Sequence, residues 1–292
     1  MLDMAQSLAG RAMRKLAKLG KRRISSAWPK GVVSFTFDDF PKTALLHGGA
    51  ILERYGARGT YYAAFGLAGS EDALGEMFDC DDVRSAHIRG HEIASHTFSH
   101  CDCTRLEAKR LRAEVRDNAR AMAPILEGRP MASFSYPFGA VSTQVRAMLA
   151  PCFSSCRGIQ PGINEQVPDY ADLRANKIYA AEFDSTRVKD LIARNSAVGG
   201  WLIFYTHDVR ASPSAFGCTP AQLDSVVEYA ARRATILPVG DVVSRLGRLA
   251  VYRQVGAMAA SRTTVRSIRQ REGATQTPVA WAPQPSPKVS PF

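Results

Sequence analysis

Four groups of reactive side chains stand at the ends of apolar runs in this chain of 292 residues. Asp38 and Asp39 close VVSFTF, His96 and His100 follow EIAS, the turn YPFG (136–139) ends a run that begins at Ala132, and His207 with Asp208 ends WLIFYT. The spacing HTFSH predicts two imidazoles on one side of a helical turn, within reach of one metal ion. Two such nitrogens and one carboxylate oxygen make a facial site with open positions for water and substrate. Adjacent aspartates point to opposite faces of a regular strand, but at a strand terminus the backbone can turn both into one cavity. One can then ligate while the other stays free as a base. A hydrolase with a carboxylate base also needs a group that protonates the departing amine or alcohol, and His207 stands where a buried strand opens to the surface. Taken singly, each group has a plainer reading: ordinary histidines, a turn-forming aspartate, a structural histidine. Four groups at matching strand ends favour a site. Asp208 either tunes His207 or is solvated.

Six cysteines without a CxxC pair read as reduced thiols. Cys101 and Cys103 lie beside the histidines, so thiolate ligation is an alternative, although CxC without a second pair is a weak zinc signature.

Eight strand-like runs must position these groups: Val32–Phe37, Gly59–Phe65, Glu92–Ser95, Ala132–Tyr136, Phe153–Cys156, Lys177–Phe183, Trp201–Thr206 and Thr235–Val239. Helical stretches alternate with them. One is expected to start at a capping box of Thr104 and Glu107, with Leu111, Val115 and Met122 on its inner stripe; another starts at Thr219, Pro220 and Gln222. Short apolar strands alternating with helices argue for a parallel sheet in one α/β domain, with a closed or irregular (β/α) barrel first and an open doubly wound sheet as the alternative. No GxGxxG or GxxxxGK[ST] follows any strand, which disfavours dinucleotide and P-loop chemistry. The reactive groups fall at the C-terminal strand ends, where α/β barrels carry their chemistry.

The formal net charge is +11, and it is concentrated at the two ends. Residues 1–30 carry eight Lys and Arg against Asp3, and residues 251–292 carry six against Glu272, whereas residues 31–250 hold 24 basic and 25 acidic side chains. A near-neutral body without a basic stripe excludes nucleic acid as the expected partner. Residues 1–30 read as a basic amphipathic leader, whose residues 1–23 contact an anionic membrane surface, form a loosely packed extension or, against Asp3 and few early serines, act as a mitochondrial-type leader. Charges interrupt its apolar positions, so it does not read as a secretory signal, and a cytoplasmic or membrane-adjacent location is expected. Residues 251–292 read as a basic, proline-rich tail, disordered from about Gln270. Residues 31–250 are the expected catalytic domain.

The motifs TFDD (36–39), HTFSH (96–100), SYPFG (135–139) and FYTHD (204–208), in that order, resemble those of the NodB-type polysaccharide deacetylases, carbohydrate esterase family four. The resemblance spans about residues 32–239. It implies a distorted (β/α) barrel of the glycoside hydrolase/deacetylase type and a divalent metal, zinc first and cobalt second. It implies Asp38 as general base, His207 as general acid, and Asp39, His96 and His100 as metal ligands. The turn residues Tyr136, Pro137 and Phe138 would serve the oxyanion and substrate, with the Phe138 N–H on the oxyanion. Two departures matter. Where many members carry an arginine before the proline, this chain has Ser135 and Tyr136, leaving the orientation of Asp38 unassigned. The aspartate and tryptophan that usually back the acid histidine are not recognisable either, although Asp184 or Trp201 could supply part of them.

The function implied is removal of acetyl groups from an N-acetylglucosamine-containing oligo- or polysaccharide. The alternatives are a non-catalytic glycan-binding protein on the same fold and an O-acetyl ester deacetylase. Loops 66–79 and 160–172 are expected to overhang the site.

Overall fold

The computed structural model describes residues 24–247. The leader expected over residues 1–23 and the tail expected over residues 251–292 lie outside the described residues. A short helix α1 (Ile24–Ala27) leads into β1 (Val32–Asp38). A π-helical stretch, Ala44–Gly49, runs into α2 (Ala50–Arg54), followed by β2 (Thr60–Ala63) and a hairpin of β3 (Glu71–Asp72) and β4 (Gly75–Glu76). Next come α3 (Cys80–Ile88), β5 (Glu92–Ser95), α4 (Ala108–Met122), β6 (Ser133–Ser135), α5 (Thr143–Leu149), β7 (Ser155–Arg157) and β8 (Asn176–Lys177). The described chain ends with α6 (Ser185–Val198), β9 (Trp201–Thr206), α7 (Pro220–Ala231), β10 (Thr235–Ile236) and α8 (Val239–Arg245).

All eight expected strands join one parallel sheet in the order β7-β6-β5-β2-β1-β9-β8, with β10 paired to the start of β1. The two ends of that row are linked through Leu173. Its N–H donates to the Cys156 carbonyl, its own carbonyl accepts from Gly158, and three residues later the chain enters β8. The sheet thus curls into the distorted barrel expected from the sequence. Every residue of β1 and β9 is buried. Alternation along these strands sends Val33, Phe35, Phe37, Leu202 and Phe204 into one core and Val32, Trp201, Ile203 and Tyr205 into another, as a two-residue period requires. Ile24 and Trp28 belong to the second core, so packing reaches back ahead of the boundary expected at residue 31. No described helix is long and apolar enough to cross a membrane.

Two local expectations are corrected. Thr104 does not start α4: its hydroxyl and N–H both donate to Asp102, which caps a single turn at Cys103–Arg105, and α4 begins at Ala108 after Glu107. The strand expected over Lys177–Phe183 is only Asn176–Lys177 and then gives way to a turn at Ala180–Glu182. The box at α7 is formed as read, with Thr219 Oγ1 accepting from Gln222 N at 3.2 Å and Gln222 Oε1 accepting from Thr219 N at 2.9 Å.

Phe37 lies between the sheet and the π-helical stretch. Its ring stacks on Tyr61 with centroids 4.9 Å apart, and a Cβ on Gly48 would come within 2.8 Å of it. Phe37→Ala is expected to cost about 3–5 kcal/mol, read as a lower urea midpoint at unchanged slope.

Candidate active site and metal centre

β1 ends at Asp38, and the chain then turns sharply through Asp39 (φ 61°) and Phe40 (φ 62°), both in the left-handed region. Such conformations are uncommon for residues other than glycine. This turn buries both carboxylates, as a strand terminus allows for an adjacent pair. His96 follows β5 directly, and His100 lies four residues on. The segment between them is not the helical turn expected, because Thr97 (φ 64°) and His100 (φ 51°) are left-handed and no helix forms. A β-branched residue at positive φ is strained by about 1–2 kcal/mol.

The ligating atoms of Asp39, His96 and His100 all lie within 4.8 Å of one another. Asp39 Oδ1 is 3.4 Å from His96 Nε2 and 3.1 Å from His100 Nε2. His96 Nδ1 meets the Ser135 carbonyl at 2.8 Å, which fixes the proton on Nδ1 and leaves the Nε2 lone pair toward the cluster. Burial, then the neighbouring His96 ring, pushes the His100 imidazole down to about 4 against the pull of Asp39, so it is neutral near pH 7. Burial pushes Asp39 up, but the three surrounding imidazoles outweigh it and hold the carboxyl at about 2. Asp39 Oδ1 is buried without a hydrogen-bond partner. A buried, ionised, unpartnered oxygen facing two imidazole nitrogens is the donor set of a divalent cation, and these residues fit one.

Asp38, the second carboxylate, is held by a residue the sequence reading missed. Arg157, the last residue of β7 and fully buried, brings one Nη2 to 2.5 Å from both carboxylate oxygens of Asp38 and from Ser135 Oγ. Its guanidinium also packs over the rings of Tyr62 and Tyr205, at 5.0 and 4.9 Å, and donates through Nη1 to the Gly158 carbonyl. Burial works against its charge, but Asp38 and the neighbouring phenols outweigh this and raise its pKa. Arg157 thus orients Asp38, and the small Ser135 leaves room for it.

His207 closes β9 with Nε2 3.8 Å from Asp39 Oδ2. The contact behind it is the Phe216 carbonyl, 3.2 Å from Nδ1. Neither expected residue backs it: Asp184 caps α6 by accepting from Arg187 N, and Trp201 is buried with Nε1 donating to Ser34 Oγ. Asp208 is not solvated. It is fully buried, accepts from Ser214 N and Oγ, and pairs with Arg210, fastening the loop that carries Phe216. A Cβ on Gly217 would lie 2.3 Å from Asp208 Oδ1, so this closure needs glycine there.

The YPFG turn sits beside the histidines. Phe138 is left-handed (φ 58°) and 65% exposed, with its ring centroid 4.5 Å from that of His100. Pro137 is buried, and Tyr136 turns its hydroxyl away to the Ala171 carbonyl, so these two shape the turn. Part of loop 66–79 is the β3–β4 hairpin. Arg210 ties it to the His207 side through the Ala73 carbonyl, and Lys42 ties it to the Asp39 side through Glu76 and Asp79. Loop 160–172 is anchored to the site's other flank: Ile159, just ahead of it, packs where a Gly139 Cβ would come within 2.3 Å, and Ala171 receives the Tyr136 hydroxyl.

All six cysteines are free thiols. Neither Cys101 nor Cys103 joins the metal-type cluster among the described residues, and burial pushes the Cys103 thiol up to about 12. Cys101→Ser is therefore expected to leave zinc affinity unchanged in a competition titration.

The polysaccharide deacetylase family profile matches residues 26–152. A chitin deacetylase of Arthroderma benhamiae is 28% identical over 131 residues, covering 44% of this chain and 33% of that protein. The chain thus spans about a third of the length of that relative. Among solved structures, the family 4 acetyl xylan esterase of Clostridium thermocellum, solved with a cobalt ion, superposes with a TM-score of 0.52 at 17% identity. The overlap covers 73% of this chain and 90% of that one, and it shows a shared fold.

Proposed function

We infer, from the match of residues 26–152 to the polysaccharide deacetylase family profile, that this protein is a metal-dependent hydrolase that removes acetyl groups from N-acetylglucosamine-containing oligo- or polysaccharide. The observation that carries the reading is the unpartnered Asp39 Oδ1 facing two imidazoles, beside a second carboxylate held by a buried arginine. Zinc first and cobalt second are the ions that the resemblance to this family implies, and two imidazoles with one carboxylate oxygen can hold either. Asp39, His96 and His100 would hold a divalent ion, which would polarise an acetyl carbonyl and lower the pKa of water toward 7. Asp38 takes the proton of the attacking water, and Arg157 keeps its carboxylate aimed. The water oxygen adds to the carbonyl carbon, the carbon–nitrogen bond breaks, and acetate and a free amine result. His207 Nε2 supplies the proton that the departing amine needs. The Phe138 N–H stabilises the oxyanion, a contribution of about 3–4 kcal/mol for one preorganised donor.

An amino-sugar substrate is supported by the likeness to a chitin deacetylase. The test is acetate release from N-acetylglucosamine oligomers beside acetylated xylan. Release is expected from the oligomers, and His207→Ala is expected to lower kcat by about 10²–10⁴-fold. Release from xylan alone would make it an ester hydrolase. Binding of oligomers with no release from either substrate would make it a glycan-binding protein.

A further inference from the structure

The mechanism above makes no use of a buried carboxyl on α4. Leu111, Val115 and Met122 form the inner stripe of this helix, yet Glu114 and Asn118, one turn apart, share its buried face. A buried charged side chain is expected only where it is paired or hydrogen-bonded. Glu114 is 2% exposed, and its Oε2 accepts from Phe98 N at 3.1 Å, Ser99 N at 2.9 Å and Ser99 Oγ at 3.0 Å. Its Oε1 meets the exposed Arg110 at 2.8 Å. Asn118 serves the strand ends next door: its amide donates to the Ala63 carbonyl and Ser95 Oγ, and its oxygen accepts from Phe65 N.

The two side chains hold the two parts of the histidine pair. Asn118 ties the strand end from which His96 projects, and Glu114 ties the segment between the histidines. That segment is bounded by the left-handed Thr97 and His100, a conformation with no glycine to ease it. His96 is fixed independently by the Ser135 carbonyl, whereas no hydrogen bond to His100 Nδ1 is found among the described residues. We propose that Glu114 is a positioning residue for the metal centre, holding the strained 97–100 segment so that His100 Nε2 is preorganised toward Asp39 and His96.

This inference rests on the metal reading above. Loss of a partner that orients ligands typically weakens metal binding by about 10–100-fold. The experiment is zinc affinity by competition with a chromophoric chelator for full-length wild type, Glu114→Gln, Ser99→Ala, Arg110→Ala and His100→Ala, with the melting temperature of each metal-free protein alongside. Glu114→Gln is expected to bind zinc about 10-fold or more weakly while melting near wild type, with Ser99→Ala shifted the same way by a smaller factor. Arg110→Ala, an exposed pair, is expected to match wild type. Should the glutamine variant fail to fold, the serine variant decides: unchanged affinity there overturns the proposal. Wild-type affinity in both, with His100→Ala weakened, would leave Glu114 a structural cap and overturn this inference alone. Equal affinity of wild type and His100→Ala would overturn the metal reading together with it.

Discussion

Arg157→Ala is expected to destabilise the protein by about 3–5 kcal/mol and to abolish most of its turnover. Removing one partner of a buried ion pair leaves the other charge uncompensated, and Asp38 is 5% exposed. The same change removes the contacts of the guanidinium with Tyr62, Tyr205 and Ser135 Oγ and opens a void at the end of β7. Arg157→Lys is not expected to rescue it, because a lysine ammonium lacks the planar fork and cannot replace the aromatic contacts. The double variant Ser135→Arg with Arg157→Ser moves the guanidinium one strand over, to a position adjoining Asp38, and is expected to recover part of the lost rate. Denaturant midpoints and kcat on the same preparations check both statements. An Arg157→Ala protein with wild-type kcat would remove Arg157 from the account.

Asp38→Asn is the second large effect. The amide keeps the shape of the carboxylate but cannot take a proton from water, so kcat is expected to fall by about 10²–10⁴-fold, the range for losing a positioned general base. Zinc affinity should hold, because the metal-type cluster uses Asp39 and the two histidines. Some stability should be lost, since Arg157 then lacks its counter-charge. Parallel measurement of acetate release and zinc affinity separates this variant from Asp39→Ala, which should lose both. Asp38→Asn with unchanged kcat would show that the base lies elsewhere.

The strand ends were legible because β1 and β9 are buried on both faces and read as unbroken apolar runs. Polar residues closing such runs are conspicuous. That singled out Asp38, Asp39, His96, His100 and His207, and the structure sets Asp39 beside His96, His100 and His207. Arg157 was not legible, because an arginine at the end of SSCRG reads as a solvated terminus. Its partner lies 119 residues away, and only the curl of the sheet joins them. Glu114 was missed for a related reason, a charge on a helix being read as its outer face although it shares the inner one with Leu111 and Val115. The helical turn expected for HTFSH failed because left-handed backbone at Thr97 and His100 carries no glycine signal. The Phe216 carbonyl behind His207 had no signal at all, since any residue supplies that group. The Thr104 box failed because a nearer acceptor, Asp102, competed for its donors.

The most direct test of the account is acetate release from N-acetylglucosamine oligomers by protein stripped of metal, before and after one equivalent of zinc or cobalt, with Asp39→Ala alongside. The account predicts no release from stripped protein, recovery on adding metal, and no recovery in Asp39→Ala. Undiminished release by the stripped protein, or by Asp39→Ala, would contradict it.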